Sequence, residues 1–159
     1  MLSSSPMGPV VVVCSGNICR SPMAEGLLKK ALAEAGLSGI EVISAGVAAY
    51  DGQVASANSV RVMEKIGIDI KGHRSRQLTE RMLREAGLIL VMTKMHQLMI
   101  EQEFPKTKVP IFLWRENVGG DKQIPDPFGS DEESYRHCMD QLAEAVPGWV
   151  EYIKKLADK

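Results

Sequence analysis

The sequence contains few cysteines and no long apolar run, and each shortage excludes a class of protein. Its three cysteines are a sparse and odd set, whereas a secreted disulfide-stabilised domain has a dense and usually even set. No stretch approaches the roughly 20 consecutive apolar residues of a membrane-spanning helix. No basic residue precedes Arg20, so the start of the chain does not fit a secretory signal peptide. We therefore expect a cytoplasmic protein with reduced thiols and no membrane partner.

The sequence also lacks an excess of charge of either sign. Lys and Arg number 19 and Asp and Glu number 20, for a net charge of −1, which does not favour nucleic acid as a partner. Apolar residues make up 45% and charged residues 25%, which is typical of a globular domain rather than a disordered chain. We predict a disordered tail over residues 1–8 and a single domain, monomeric or weakly dimeric, over residues 9–159.

Short apolar segments alternate with segments of helical periodicity along the chain. The predicted strands cover residues 9–14, 40–44, 88–92 and 109–113, and the predicted helices cover residues 21–35, 56–66, 79–86, 94–104 and 130 onward. We expect Ser21 to cap the first helix, Ser130 to begin a capping box for the last, and Pro147 to kink or interrupt that last helix. The alternation predicts an α/β fold in which helices cover both faces of a parallel sheet. Such folds bind ligands beyond the carboxyl ends of their strands.

The loop after the first predicted strand combines a cysteine with an arginine, in the order Cys14-Ser15-Gly16-Asn17-Ile18-Cys19-Arg20-Ser21. A glycine-containing turn between a strand and a helix presents successive backbone N–H groups to an anion. The guanidinium of Arg20 can hold two oxygens of the same anion. The same field favours the ionised, nucleophilic form of the Cys14 thiol. The loop therefore predicts a thiolate that attacks a bound phosphate ester. It is not a nucleotide-binding P-loop, because the Gly-Lys-Ser/Thr ending is missing.

A carboxylic acid is expected at the same edge of the sheet. Asp126 lies between Pro125 and Pro127 in the long loop after the fourth predicted strand, and the two prolines restrict the backbone on either side of it. Because parallel strands end at one edge of a sheet, this loop and the Cys14 loop should be neighbours. Phosphoryl transfer needs a proton for the leaving group, and we predict that Asp126 supplies it.

The segment from Cys14 to Pro22, together with Asp126-Pro127-Phe128, resembles the low-molecular-weight protein tyrosine phosphatase family, and the likeness covers nearly the whole chain. The resemblance implies a three-layer, flavodoxin-like α/β fold with a four-stranded parallel sheet. It implies two-step hydrolysis of phosphotyrosine on proteins, with no metal or cofactor and with inorganic phosphate as the product. In the first step Cys14 becomes a phosphocysteine while Asp126 protonates the phenolate. In the second step Asp126 activates the water that releases phosphate.

The resemblance also implies roles for further residues. The phosphate is bound by the loop residues Ser15, Gly16, Asn17, Ile18, Cys19 and Arg20. A hydrogen-bond network that supports the loop comprises Asn17, Ser21, Ser44 and His73. The walls of the substrate pocket are Ile18, Tyr50 and Phe128. After oxidation, Cys14 is expected to form a reversible, protective disulfide with Cys19. His96 and His137 have no matching role, and we predict that both are surface or helix-face residues.

A bacterial branch of the same family removes phosphate from arginine in proteins, and it is the main alternative. The Asp-Pro-Phe-Gly segment at residues 126–129 and the pair Met92-Thr93 are similar to that branch. Ile18 differs from it, because the branch has threonine at this position. Isoleucine narrows the pocket and offers no hydroxyl to a guanidinium, so the sequence favours phosphotyrosine.

Two further alternatives are less well supported by the residues present. Arsenate reductases share the loop, but they need a cysteine pair near the third strand, and residues 88–97 contain no cysteine. A phosphotyrosine-binding module without activity would need neither the thiolate of Cys14 nor the acid of Asp126. We therefore predict a phosphatase.

Overall fold

Within residues 7–158, which the computed structural model describes, four parallel strands form one sheet and five helices pack around it. The elements in chain order are β1 (Val10–Cys14), α1 (Arg20–Glu34), β2 (Val42–Gly46), α2 (Ala57–Glu64), α3 (Glu80–Glu85), β3 (Leu88–Val91), α4 (Lys94–Glu103), β4 (Ile111–Leu113) and α5 (Glu132–Ala157). The predicted alternation is confirmed, with bounds that differ by no more than two residues.

The strand order across the sheet is β2-β1-β3-β4, so β1 lies in the interior of the sheet. Val12 pairs with Ser44 of β2 on one side and with Leu90 of β3 on the other. Successive residues of β1 point to opposite faces, where they join two separate apolar clusters. Because both faces are covered, β1 is a continuous valine run rather than an alternating one. This confirms the predicted three-layer, flavodoxin-like α/β fold.

The start of α1 differs from the prediction. The helix begins at Arg20, and its N-cap residue is Cys19, without a side-chain capping bond. Ser21 lies inside the first turn, where its Oγ is 3.0 Å from Cys14 Sγ. Pro22 is tolerated there because first-turn N–H groups have no acceptor within the helix. The prediction that Ser21 caps α1 is therefore wrong, and its hydroxyl faces the thiol instead.

The last helix also differs from the prediction. It continues through Pro147 as one helix of 26 residues, so the expected interruption is absent. Its second half is anchored by Trp149, whose indole N–H donates to the Trp114 carbonyl oxygen at 2.6 Å. At its start the N-cap is Asp131 rather than Ser130, and its carboxylate accepts the backbone N–H three residues on at 2.9 Å.

The N-terminal boundary is earlier than the predicted one. Met7 packs against the larger apolar cluster, and a Cβ at Gly8 would lie 1.9 Å from the Glu85 carbonyl oxygen. The prediction of a disordered tail over residues 1–8 is therefore wrong for Met7 and Gly8. Residues 1–6 lie outside the described residues. Over residues 7–158, no helix has both the length and the apolar character that crossing a membrane requires.

Candidate active site

The loop after β1 lies directly against the end of β2. The backbone N–H groups of Val47 and Ala48 donate to the carbonyl oxygens of Cys14 and Ser15, each at 3.0 Å. At Gly46, an added Cβ would lie 2.4 Å from the Ser15 carbonyl oxygen. Any other residue at this position would therefore push the loop away from the strand that supports it.

The loop presents a set of backbone amides to one side. The N–H groups of residues 15–19 donate to no acceptor within the part of the chain that the structure describes. Residues 15–19 lead directly into the N-terminus of α1, and the dipole of that helix also attracts negative charge. Asn17 has a positive φ of 58°, which is uncommon for a residue other than glycine. Its Oδ1 accepts the Arg76 N–H at 2.9 Å, which helps to hold that conformation. The loop is thus shaped to bind an oxyanion.

A chain of hydrogen bonds connects the Cys14 thiol to Glu25. Ser21 Oγ lies 3.0 Å from Cys14 Sγ. Asn17 Nδ2 donates to Ser21 Oγ at 2.7 Å and to Ser44 Oγ at 3.0 Å. Ser44 Oγ in turn donates to the Glu25 carboxylate at 2.6 Å. Because the amide nitrogen only donates, Ser21 uses its oxygen as acceptor for Asn17 and keeps its proton for the sulfur. The network therefore directs the hydroxyl proton of Ser21 at the Cys14 sulfur.

His73 contacts this network through the backbone of Asn17. Its Nε2 lies 2.7 Å from the Asn17 carbonyl oxygen, and because a carbonyl only accepts, Nε2 carries the proton. Burial lowers the pKa of His73, and the hydrogen bond to Asn17 opposes that shift. The structure thus brings Asn17, Ser21, Ser44 and His73 together, and it adds Glu25, which the sequence did not indicate.

The Arg20 guanidinium is buried at the edge of the loop, with only 3% of the residue exposed. Its Nη1 donates to the Ile124 carbonyl oxygen at 2.9 Å, and its Nη2 donates to Ser15 Oγ at 3.3 Å. Its Nε is buried and has no hydrogen-bond partner within residues 7–158. A buried, unpartnered N–H of a charged group is costly unless an acceptor reaches it. The edge of the guanidinium that carries Nε and Nη2 therefore suits a phosphate held in a bidentate manner.

Asp126 reaches the site from the loop before α5, as the topology predicts. One carboxylate oxygen lies 3.5 Å from Arg20 Nη2, and the other accepts the Phe128 N–H at 3.0 Å. The side chain is 46% exposed, so solvent and substrate can reach it. The base of this loop is held by the buried Arg115, which donates to the carbonyl oxygens of Gly119, Asp121 and Gln141.

These residues line one cavity of about 360 Å³. Its lining comprises ten residues, which are Cys14, Gly16, Ile18, Cys19, Arg20, Ala48, Tyr50, Gln53, Asp126 and Phe128. Tyr50 and Phe128 are 78% and 67% exposed, so each presents an aromatic ring at the mouth. The Tyr50 loop is anchored by Ser75, whose hydroxyl donates to the Tyr50 carbonyl oxygen. Exposed rings that share a cavity with Cys14 can pack against a flat aromatic group.

His96 is where the prediction fails most clearly. It is 3% exposed, not a surface residue, and its Nε2 lies 2.9 Å from Ser15 Oγ. Its Nδ1 lies 3.2 Å from the Thr93 backbone nitrogen, as part of a capping box at the start of α4. Nothing in the local sequence indicates this position, because its partner lies 81 residues earlier. His137 is exposed on α5, as predicted.

The two other cysteines are both buried. Cys19 Sγ lies 3.3 Å from the Tyr135 hydroxyl, and burial raises the pKa of the Cys19 thiol. Burial also raises the pKa of Cys138 to about 12, which leaves that residue an unreactive thiol packed in the core. Cys14 and Cys19 both line the cavity, and Cys14 is the one whose sulfur lies beside the Ser21 hydroxyl, at 3.0 Å.

Comparisons with known proteins agree with this geometry. The sequence profile of the low molecular weight phosphotyrosine protein phosphatase family matches residues 9–159. The chain is 37% identical to the probable low molecular weight protein-tyrosine-phosphatase EpsP of Ralstonia nicotianae, over 92% of this chain and 97% of that one. It is 39% identical to a protein-arginine-phosphatase of Geobacillus stearothermophilus, over 91% and 95%.

A solved structure is similar as well. The tyrosine phosphatase Wzb of Escherichia coli K30, solved in complex with sulphate, superposes with a TM-score of 0.84 at 32% identity, covering 92% of this chain and 99% of that one. The fold, the loop between β1 and α1, and the match over almost the whole length agree with one another. The chain therefore belongs to the low molecular weight phosphotyrosine protein phosphatase family.

Proposed function

We propose that this chain is a protein-tyrosine phosphatase that hydrolyses phosphotyrosine in proteins through a phosphocysteine at Cys14. The observation that carries the proposal is that Cys14 and Arg20, from the loop after β1, line one cavity with Asp126, which is more than a hundred residues away in the sequence. Such a site supplies a nucleophile, a cation for the phosphoryl oxygens and an acid for the leaving group. Membership of the family implies a phosphoprotein as substrate and inorganic phosphate as product.

The first step transfers the phosphoryl group to sulfur. The Cys14 thiolate attacks phosphorus with its electron pair, and the bond between phosphorus and the phenolic oxygen breaks. Asp126, protonated for this step, gives its proton to that oxygen, so tyrosine leaves neutral. Arg20 and the amides of residues 15–19 hold the charged phosphoryl oxygens throughout.

The second step returns the enzyme to its starting state. Asp126, now a carboxylate, accepts a proton from a water molecule as that water attacks phosphorus. The bond between sulfur and phosphorus breaks, and inorganic phosphate leaves. Sulfur departs as a thiolate, and the Ser21 hydroxyl, 3.0 Å away, stabilises that charge. The hydrogen-bond network behind Ser21 thus acts in both steps.

The shape of the cavity mouth supports a tyrosine rather than an arginine substrate. Tyr50 and Phe128 offer two exposed rings, and Ile18 adds an apolar side chain to the lining of the same cavity. A phenyl ring is matched by such walls. A guanidinium would find no hydroxyl at Ile18, and its N–H groups would be left without acceptors on that side. The identity with a protein-arginine-phosphatase makes phosphoarginine the second candidate.

A comparison of two matched peptides tests this proposal. We expect kcat/KM for a phosphotyrosine peptide to exceed that for the phosphoarginine peptide of the same sequence by about tenfold or more. The variants Ile18→Thr and Ile18→Val have side chains of nearly the same shape, and they differ by one hydroxyl. Ile18→Thr should narrow the preference by about tenfold relative to Ile18→Val. Preferential hydrolysis of phosphoarginine by the parent protein would overturn the assignment to phosphotyrosine.

We also propose that Cys19 protects Cys14 from irreversible oxidation. Peroxide would oxidise the Cys14 thiolate to a sulfenic acid, being itself reduced to water. The Cys19 thiol would then displace a second water and form a disulfide, which a dithiol reduces.

We expect dithiothreitol to restore nearly all activity to the oxidised parent and little to Cys19→Ser, measured as hydrolysis of p-nitrophenyl phosphate. Cys138→Ser is the matched control and should recover like the parent. Equal recovery in the parent and in Cys19→Ser would contradict the protective role.

Three features of the proposal rest on the sequence alone. The cytoplasmic location follows from the cysteine content and from the need for a free thiolate at Cys14. A monomer or weak dimer is expected, and no nucleic acid or membrane partner is expected from a net charge of −1. These remain predictions.

A further inference from the structure

The guanidinium of Arg20 has an anchor that does not belong to the cavity. Ser15 Oγ accepts a hydrogen bond from Arg20 Nη2 at 3.3 Å and lies 2.9 Å from His96 Nε2. Neither Ser15 nor His96 is among the residues that line the cavity. Any effect of these two side chains on the bound phosphoryl group must therefore pass through Arg20 or through the loop backbone.

The hydrogen bonds of His96 determine which of its nitrogens carries the proton. Nδ1 lies 3.2 Å from the backbone nitrogen of Thr93. A backbone N–H can only donate, so Nδ1 is the acceptor and carries no proton. The proton of the neutral ring is then on Nε2, which donates it to Ser15 Oγ. Burial, together with the nearby positive charge of Arg20, lowers the pKa of His96 to about 4, which agrees with a neutral ring at neutral pH.

The direction of these bonds leaves Ser15 no freedom as an acceptor. A hydroxyl oxygen has two acceptor sites, and His96 and Arg20 occupy both. The other terminal nitrogen of Arg20 is fixed by the Ile124 carbonyl oxygen at 2.9 Å. Two anchors, on Nη1 and Nη2, therefore set the plane of the guanidinium. They leave its Nε, which is buried and has no partner within residues 7–158, on the edge that faces an anion.

We infer that His96 is a positioning residue for phosphate binding, which acts by fixing Ser15 as an acceptor for Arg20. An arginine side chain has several rotatable bonds, and holding it in one orientation before the substrate arrives lowers the cost of binding. Without the donor on His96, the Ser15 hydroxyl can rotate, and one of the two anchors of Arg20 is weakened. The affinity for a phosphoryl group falls as a result. This inference rests on the role proposed above for Arg20 but not on the choice of phosphotyrosine as substrate.

The two nitrogens of His96 can be tested separately by substitution. Asparagine carries an oxygen at the position of Nδ1, so His96→Asn keeps an acceptor for the Thr93 N–H and loses the donor to Ser15. Glutamine carries an amide N–H at the distance of Nε2, so His96→Gln can restore that donor. Ser15→Ala removes the acceptor from the other end of the same bond. His137→Asn, at an exposed position on α5, is the matched control.

The measurement is the Kd for inorganic phosphate by titration calorimetry, accompanied by the thermal midpoint. We expect His96→Asn and Ser15→Ala each to raise the Kd by about tenfold, and His96→Gln to recover most of that loss. The double variant should bind no more weakly than either single variant, because both remove the same bond. His137→Asn should bind like the parent. The thermal midpoint of His96→Asn should stay close to that of the parent, since the cap of α4 is kept.

Two results would overturn the inference. One is an unchanged phosphate Kd in a folded His96→Asn, and the other is a double variant whose loss is the product of the two single losses. A parent protein that prefers phosphoarginine would instead overturn only the proposed substrate, because phosphate affinity is measured without any peptide.

Discussion

Replacement of Cys14 by serine should lower kcat for p-nitrophenyl phosphate by about four orders of magnitude or more. The hydroxyl of serine is a far weaker nucleophile than a thiolate, and neither the loop amides nor Ser21 can ionise it at neutral pH. Serine is close to cysteine in size, so the loop and the network behind it should keep their arrangement. The Kd for inorganic phosphate in titration calorimetry should therefore change by much less than kcat.

Cys138 provides the matched control for this substitution. Both cysteines are buried, but Cys138 lies on α5 and contacts the core rather than the loop. Cys138→Ser should lose some stability and keep its turnover at temperatures where it is folded. If Cys14→Ser retained a tenth of the parental kcat, Cys14 could not be the nucleophile.

Replacement of Asp126 by asparagine should lower kcat/KM for phenyl phosphate by about 10²–10⁴-fold, the usual contribution of a positioned acid. The loss in kcat/KM should be much smaller for aryl phosphates whose phenols are strong acids, because kcat/KM reports the first step and those phenolates leave without a proton. In the parent, Asp126 Oδ1 accepts the Phe128 N–H at 3.0 Å. The side-chain oxygen of asparagine can accept the same N–H, so the turn should persist. The measurement is a series of leaving groups, with kcat/KM plotted against the acidity of the phenol.

Asp121 is a close structural match for the control. Its carboxylate also accepts the backbone N–H two residues on, here that of Gln123 at 2.9 Å, and it lies in the same loop but outside the cavity. Asp121→Asn should show the slope of the parent across the leaving-group series. A slope for Asp126→Asn that matches the parent, with an equal loss for every substrate, would contradict its role as the acid.

The parts of the fold and site that sequence predicts well are those encoded locally. The continuous valine run of β1 indicates a strand that is covered on both faces. All five residues of the strand are indeed buried. Cys14 and Arg20 stand in one short loop whose glycine and following helix already indicate an anion site. Asp126 is distant in sequence, but parallel topology places its loop at the same edge of the sheet.

The parts that sequence misses depend on partners far along the chain. His96 and Glu25 look like ordinary helix residues until Ser15 and Ser44 are placed beside them. Ser21 stands where a helix cap is expected, and its role in the network beside Cys14 Sγ is implied by the family resemblance rather than by the local pattern. In each case one local pattern fits two roles, and tertiary contacts select between them.

The same holds for the last helix. A proline in a helix interior normally breaks or bends it because one backbone bond is lost. At Pro147 that loss is offset by packing, since Trp149 and Ile153 on the following turns are buried in the core. The long-range contacts outweigh the local preference, which is why the prediction of an interruption fails there.

A covalent phosphoryl group on Cys14 is the most direct evidence that this mechanism can give. In Asp126→Asn the first step still proceeds with p-nitrophenyl phosphate, whose leaving group needs no proton, but the second step lacks its base, so the adduct should accumulate. Acid quenching within the first turnover, followed by mass spectrometry of the peptides, should find one added phosphoryl group on the peptide that contains Cys14. Continued hydrolysis with no adduct on that peptide, or with the phosphoryl group on another residue, would contradict the account.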